Sequence, residues 1–216
     1  MPSTFRQRDS IVEKEIAKFM DEKFYGRQVT GFIRFEDKEN QLKGKDVSFT
    51  WGELKNIIVD EKAQTHYINE NLPTFAFEIS FIRAAGEWTL GWLFDKTKEN
   101  DYFILIWPFA SKKWDITKED IEKLDCLLIN KQKIIDLLEK EGFSRDKIMT
   151  EEERIRKENN PGKIGSGNFY FYFTGRLAEK PINLVIRKEK LIEIAEKRFI
   201  IPPNQSEKRD LSQFFL

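Results

Sequence analysis

Cysteine and histidine are almost missing: the 216 residues hold one of each, Cys126 and His66. One cysteine excludes an intramolecular disulfide framework and a Cys-based zinc site. One histidine excludes multi-His metal sites and leaves a Ser-His-Asp or Cys-His mechanism a single base. Also missing is any apolar run approaching the roughly 20 residues that span a bilayer. The segment Met1-Pro2-Ser3-Thr4-Phe5-Arg6-Gln7-Arg8 has no apolar core of a signal peptide. The expected setting is therefore a reducing cytoplasm, with no membrane partner. Net charge is missing too: 37 Lys plus Arg balance 37 Asp plus Glu. A strongly basic chain would have signalled nucleic acid directly, and this is not one.

Charge and apolar surface are both plentiful. The chain is 34% charged and 40% hydrophobic, which argues against disorder and for a packed core. The chemistry left open runs on carboxylates and lysines. The length suits a single domain over 1–216, read as a core (1–115), a helical and strand extension (116–201) and a tail (202–216). Charge is uneven along it: from Arg154 to Arg198 eleven basic residues accompany five acidic ones. Such a stretch is ordinarily a solvated face, and otherwise a source of phosphate contacts.

Periodicity predicts a helix over 5–24, where Val12, Ile16, Phe19, Met20 and Phe24 recur at helical spacing and Gly26 closes the pattern. Strands are expected at Val29–Phe35, Val47–Phe49, Leu54–Gln64, Phe75–Phe81 and Tyr102–Trp107, the last stopped by Pro108, with a polar turn at 36–40. Thr117 with Asp120 reads as the start of a long helix running towards Gly142, with a break near Asn130. Thr150 with Glu153 reads as the start of another helix. A loop is expected over 159–168, strands at Phe169–Phe173 and Pro181–Ile186, and a last helix at Glu189–Arg198. The architecture expected is α/β, a mixed central sheet flanked by helices with a C-terminal α+β extension.

One constellation carries chemistry. Lys43-Gly44-Lys45-Asp46 opens a strand, and the next strand ends in Asn56-Ile57-Ile58-Val59-Asp60-Glu61-Lys62-Ala63-Gln64. With a period of two, Asp60, Lys62 and Gln64 share one face while Glu61 points to the other. Asp46 and Asp60 on neighbouring strands could hold Mg²⁺ through oxygen ligands, with Lys62 beside them. The short pattern is weak alone, since Asp21-Glu22-Lys23 and Glu36-Asp37-Lys38 also occur. The apolar strand before it and the acid opening the preceding strand set the third instance apart. The bland alternative is a solvated strand end with Lys62 paired to Asp46 across the ladder.

On these residues the chain resembles the PD-(D/E)XK nuclease superfamily, with its restriction-endonuclease-like core. Val12-Glu13-Lys14-Glu15-Ile16-Ala17-Lys18-Phe19-Met20 is similar to the helix of the Holliday-junction-resolvase branch. Glu13 is preferred over Glu15 as the matching glutamate because it is expected nearer the buried face. Asp46 stands for the first aspartate, Asp60-Glu61-Lys62 for (D/E)-x-K, and Gln64 for the glutamine some members carry. The stretch from Gly91-Trp92-Leu93-Phe94 to Asp101–Ile106 also resembles the region after the active-site strands. Lys45 replaces the usual proline, and Asp60 the commoner glutamate. The resemblance implies Glu13, Asp46, Asp60, Lys62 and Gln64 as catalytic residues. It implies that Asp46, Asp60 and the Glu61 carbonyl bind Mg²⁺ or Mn²⁺, that Lys62 orients the nucleophile, and that DNA is cut hydrolytically by a homodimer. A non-catalytic binding module that keeps the fold is the alternative.

Candidate phosphate contacts are Lys43, Lys45, Lys163 and Arg176. His66 reads as a strand residue that could reach a phosphate. Trp88, Trp92, Trp107 and Trp114 read as core rather than as base-stacking platforms, and Cys126 as core on a helix. The tail from Lys208 to Leu216 resembles a sliding-clamp-binding peptide, with Leu211, Phe214 and Phe215 as partner-binding residues and Lys208 where the motif has glutamine.

Overall fold

The computed structural model describes residues 5–83 and 85–202. The chain is α/β, with one mixed and one antiparallel sheet, both accompanied by helices. It divides into two compact units, whose boundaries fall at 72/73, 99/100, 130/131 and 194/195. None falls at 115/116. Among the described residues no helix is long and apolar enough to cross a membrane.

The first unit holds α1 (Phe5–Met20), a π-helical turn (Asp21–Tyr25), α2 (Gly26–Gln28) and α3 (Lys38–Leu42). Its strands, numbered along the whole chain, are β1 (Thr30–Arg34), β2 (Val47–Trp51), β3 (Leu54–Ala63), β6 (Tyr102–Ala110), β7 (Ile121–Asn130) and β11 (Lys197–Ile201). They lie in the order β1-β2-β3-β6-β7-β11, antiparallel except for the parallel pair β3 and β6. Val12, Ile16, Phe19 and Met20 make one apolar stripe, as their spacing predicts. That stripe packs into a core with Val47 and Phe49 of β2, Ile57 and Val59 of β3, and Ile104 and Ile106 of β6.

Several elements differ from the sequence reading, each for a local reason. The expected polar turn at 36–40 is the short helix α3, because Asp37 caps it by accepting from the Asn40 N–H at 2.9 Å. The capping box of Thr117 and Asp120 exists, but it opens only a 3₁₀ turn, Lys118–Asp120. Ile121–Asn130 is then a strand, not a helix. Leu124, Cys126 and Leu128 face the core under α1, while Leu127 and Ile129 on the other face are buried as well. A run apolar on both faces carries no period, so helix and buried strand look alike in sequence. Cys126 is core as expected, on a strand.

Pro108 does not stop β6, which continues to Ala110. The Pro108 carbonyl accepts from the Asn69 N–H at 3.1 Å, so the residue's hydrogen-bonding side faces away from β7. Pairing with β3 has already ended at Ile106, and the missing N–H breaks no ladder bond.

The second unit holds β4 (Thr74–Ile82), β5 (Trp88–Leu90), β8 (Gly162–Ile164), β9 (Phe169–Phe173) and β10 (Ile182–Arg187), antiparallel in the order β5-β4-β10-β9-β8. Its helices are α4 (Lys131–Lys140), α5 (Arg145–Glu158) and α6 (Lys188–Ile194). The break expected near Asn130 is where β7 gives way to α4. Ser144 caps α5, and Thr150 lies inside it, its hydroxyl donating to the Asp146 carbonyl at 2.9 Å. The expected loop over 159–168 contains β8. The last helix ends at Ile194, and Lys197–Ile201 pairs with β7 as β11, burying Phe199 and Ile201 alternately. Trp107 is buried, but Trp88 and Trp114 are 48% and 58% exposed, contrary to the core reading for both.

Candidate active site

The end of the β2–β3 ladder brings the two aspartates together. Val47 pairs with Val59 and Ser48 with Ile58, and Asp46 lies just beyond that ladder, close enough to Asp60 to raise its pKa. The Asp46 N–H donates to the Val59 carbonyl at 3.0 Å, and Asp46 Oδ2 accepts from the Glu61 N–H at 2.8 Å. Asp60 is buried, 2% exposed, and its Oδ1 accepts from Lys62 Nζ at 2.5 Å. Its Oδ2 is also buried and has no hydrogen-bond partner among the described residues. Lys62 therefore pairs along its own strand with Asp60, two residues away.

Burial pushes the Asp60 carboxyl up to about 7, with Asp46 adding to the rise and Lys62 opposing it. Burial works against the charge on Lys62, but Asp60, Asp46 and Glu13 together outweigh it and raise its pKa. Desolvation raises the pKa of Glu13 too, aided by Asp9 and Asp46 and opposed by Lys62. Lys62 thus feels Asp60, Asp46 and Glu13 together, and Asp46 acts on both Asp60 and Glu13.

Glu13 keeps more exposed surface than Glu15, yet burial is the leading cause of its raised pKa, whereas for Glu15 hydrogen bonding comes first. Glu15 is engaged elsewhere, accepting from Lys18 Nζ at 2.6 Å and from the Lys118 N–H at 2.9 Å. Its pKa is lowered by those bonds, the one from Lys18 first.

Glu61 points to the opposite face, as the strand period requires. Its Oε1 accepts from the Tyr25 hydroxyl at 2.7 Å and its Oε2 from Arg34 Nη1 at 2.7 Å. Arg34 also grips Asp21 through Nε at 2.8 Å and Nη2 at 2.6 Å. Burial and then Glu61 raise the Tyr25 hydroxyl well above its usual range. Tyr25, Asp21 and Arg34 were not singled out from sequence. The only signal available was Tyr25 at the helix end, on the face of the apolar stripe.

Gln64 follows the last residue of β3, and its N–H bonds the Ile106 carbonyl at 3.0 Å. His66 is on a 3₁₀ turn, Thr65–Tyr67, rather than on the strand, and its Nε2 lies 3.0 Å from Asp9 Oδ2. Lys43 pairs with Glu39 at 3.1 Å in the turn after α3, two residues before Lys45. Lys163 and Arg176 belong to the second unit: Lys163 lies over the Tyr170 ring at 4.2 Å, and Arg176 is exposed. Leu211, Phe214 and Phe215 lie outside the described residues.

Much of the basic excess between Arg154 and Arg198 is neutralised locally. Arg154 pairs with Glu151 and Glu158, Arg156 with Glu152, Lys190 with Glu193 and Arg198 with Asp125.

Two neighbouring carboxylates, one with a buried oxygen that lacks a donor, fit a hard divalent cation, which takes carboxylate oxygens and fills the rest with water. Among the described residues no group of three His, Cys, Asp or Glu side chains converges to hold a metal. The remaining ligands would be backbone, water or substrate oxygens. No family model, no curated protein and no solved structure matches the chain.

Proposed function

We propose that the chain is a metal-dependent endonuclease that hydrolyses DNA phosphodiester bonds, of restriction or repair type. The observation that carries this reading is the convergence of Asp46, Asp60 and Lys62 at the end of the β2–β3 ladder, around a buried Asp60 oxygen with no donor, with Glu13 of α1 near enough to Lys62 and Asp46 to feel both. Clusters of opposed charges around a buried carboxyl of raised pKa are frequent at sites of hydrolytic chemistry. The order of helix, Asp46 strand and Asp60-Glu61-Lys62 strand accords with the PD-(D/E)XK resemblance.

Asp46 and Asp60 would hold Mg²⁺ or Mn²⁺, with the Glu61 carbonyl as a third ligand. The bound ion supplies a polarised phosphoryl oxygen and a water of lowered pKa. Lys62, kept charged by its acidic neighbours, places a positive centre where negative charge develops on phosphate oxygens. Glu13, with its raised pKa and within electrostatic reach of Lys62 and Asp46, would take or return a proton through water. A homodimer would bring one such site to each strand of a duplex.

A second reading, a module that keeps the fold without the chemistry, is favoured by one contact. Lys62 Nζ bonds Asp60 directly at 2.5 Å, the arrangement of a closed ion pair. Cleavage of supercoiled plasmid, branched DNA and single-stranded RNA with Mg²⁺, Mn²⁺ or EDTA, for wild type beside Lys62→Ala, decides between them. Metal-dependent cutting lost in Lys62→Ala supports the nuclease. A wild type that cuts nothing and takes up no Mn²⁺ in calorimetry leaves the module.

A further inference from the structure

We infer that Asp21, Arg34, Tyr25 and Glu61 form a positioning device that holds the Asp60–Lys62 segment in register from behind the strand. The inference rests on the metal-dependent reading above. Residue 61 is fixed at three points: Oε1 by Tyr25, Oε2 by Arg34, and its N–H by Asp46. Its peptide links Asp60 to Lys62, so any rotation there would move the two groups that meet on the other face.

The anchors are themselves anchored. Arg34 binds Asp21 through two nitrogens, a planar fork that fixes direction as well as distance. The Tyr25 ring stacks on Phe32, centroids 4.7 Å apart and 5° from parallel. Asp21 and Tyr25 are the first and last residues of the π-helical turn, where the Gly26 N–H reaches back to the Asp21 carbonyl. Single π turns of this kind recur at functional sites because the widened turn re-aims side chains. Here it brings a carboxylate and a hydroxyl to two different partners on β1 and β3.

Stability alone does not call for this arrangement. The neighbouring positions on the same face, Phe49, Ile57 and Val59, are apolar and buried. A buried ion cluster is often matched or surpassed in stability by apolar side chains of similar volume. What charged, directional bonds add is a single orientation of the residue they hold, the role outer-shell partners play at metal sites.

The test uses the full chain with Glu61→Gln, Tyr25→Phe, Arg34→Lys and Arg34→Met. It reads the melting temperature, the Mn²⁺ affinity by electron paramagnetic resonance, and kcat and KM on whichever substrate wild type cuts. Glu61→Gln and Tyr25→Phe are expected to fold, to bind Mn²⁺ roughly 10-fold more weakly, and to lose about 10- to 100-fold in kcat at unchanged KM. Arg34→Lys is expected to recover part of what Arg34→Met loses. Tyr25→Phe, which removes only a hydroxyl, keeps the test open if Arg34→Met fails to fold. Variants that melt earlier yet keep wild-type Mn²⁺ affinity and kcat would overturn the positioning role alone. A wild type that binds no Mn²⁺ would overturn the metal reading and this inference with it.

Discussion

Asp46 and Glu61 are tied side chain to backbone: Asp46 Oδ2 accepts a 2.8 Å hydrogen bond from the Glu61 N–H. The bond makes Asp46 both a structural clamp on β3 and a candidate ligand beside Asp60. An amide can keep the first role, since its oxygen still accepts, but brings no negative charge to the second. Asp46→Asn is therefore expected to melt near wild type while Mn²⁺ affinity falls by more than the roughly 100-fold of an outer-shell loss. Asp46→Ala is expected to lose both. Parallel melting and calorimetry check the split. Equal Mn²⁺ affinity for Asp46→Asn and wild type would remove Asp46 from the ligand set.

Asp60 contributes to the pH dependence of stability in the metal-free chain, in the same direction as Glu13 and Glu61, whose pKa values are also raised. Its ordinary value is 3.8 and burial lifts it to about 7. Between those values the folded chain keeps a proton that the unfolded chain releases. Stability is therefore expected to fall as pH rises from about 4 to about 7, by at most about 1.4 kcal/mol per pH unit from this group, and then to level off. Asp60→Asn removes the group and is expected to flatten that limb. Urea unfolding from pH 4.5 to 8, with and without the substitution, measures it; an identical slope in both proteins would discount the burial of Asp60.

The site was legible in sequence further than the fold around it. Asp46, Asp60 and Lys62 could be placed because a strand alternates with period two and the register is fixed by apolar positions such as Val47 and Val59. Glu13 is reached through the resemblance; it keeps more exposed surface than Glu15 but is the more desolvated of the two. The Tyr25–Arg34 backing was not legible: it depends on a π turn that no apolar spacing announces and on a strand pairing between distant segments. Ile121–Asn130 was misread because a strand covered on both faces loses its period. The interleaving of two units is not legible in sequence, because composition does not change where the chain leaves one and enters the other.

Gly91 marks the tightest backbone approach in the second unit. A Cβ added there would lie 2.1 Å from the Glu78 carbonyl oxygen and 2.4 Å from its carbon, while the Gly91 N–H already donates to Ile79 at 2.7 Å. Both neighbours are backbone of β4, so nothing flexible can yield. Gly91→Ala is expected to cost about 3 kcal/mol or more, in the range of severe overpacking. Denaturant unfolding would show it as a lower midpoint at unchanged m-value, and a midpoint within about 0.5 kcal/mol of wild type would contradict the close approach.

Glu152 closes a buried polar knot in the second unit. It is 1% exposed and accepts from the Ser80 hydroxyl at 2.5 Å, from Trp88 Nε1 at 3.0 Å and from Arg156. Removing the carboxylate leaves the buried Ser80 hydroxyl without its acceptor and takes from Arg156 its charged partner, leaving it the Ser80 hydroxyl and the Lys180 carbonyl. Glu152→Ala is expected to destabilise by about 3–5 kcal/mol, and Ser80→Ala, which leaves the ion pair intact, by about 1 kcal/mol. A cost for Glu152→Ala no larger than for Ser80→Ala would show that the Arg156 pair contributes little.

The pairing of the basic segment changes what its residues should do on nucleic acid. A cation already held by carboxylates releases few counterions when a phosphate approaches, because its charge is largely spent. Arg154, between Glu151 and Glu158, and Arg198, against Asp125, are of this kind. Lys163 rests on an aromatic face at 4.2 Å and Arg176 is exposed, so on the proposed nucleic-acid reading these two would neutralise phosphate. The salt dependence of DNA binding separates the two sets. Lys163→Ala and Arg176→Ala should each lower the slope of log K against log salt by about one, whereas Arg154→Ala should lower the melting temperature and leave the slope alone. A slope that responds to Arg154 and ignores Lys163 and Arg176 would move the phosphate path to the outer face of α5.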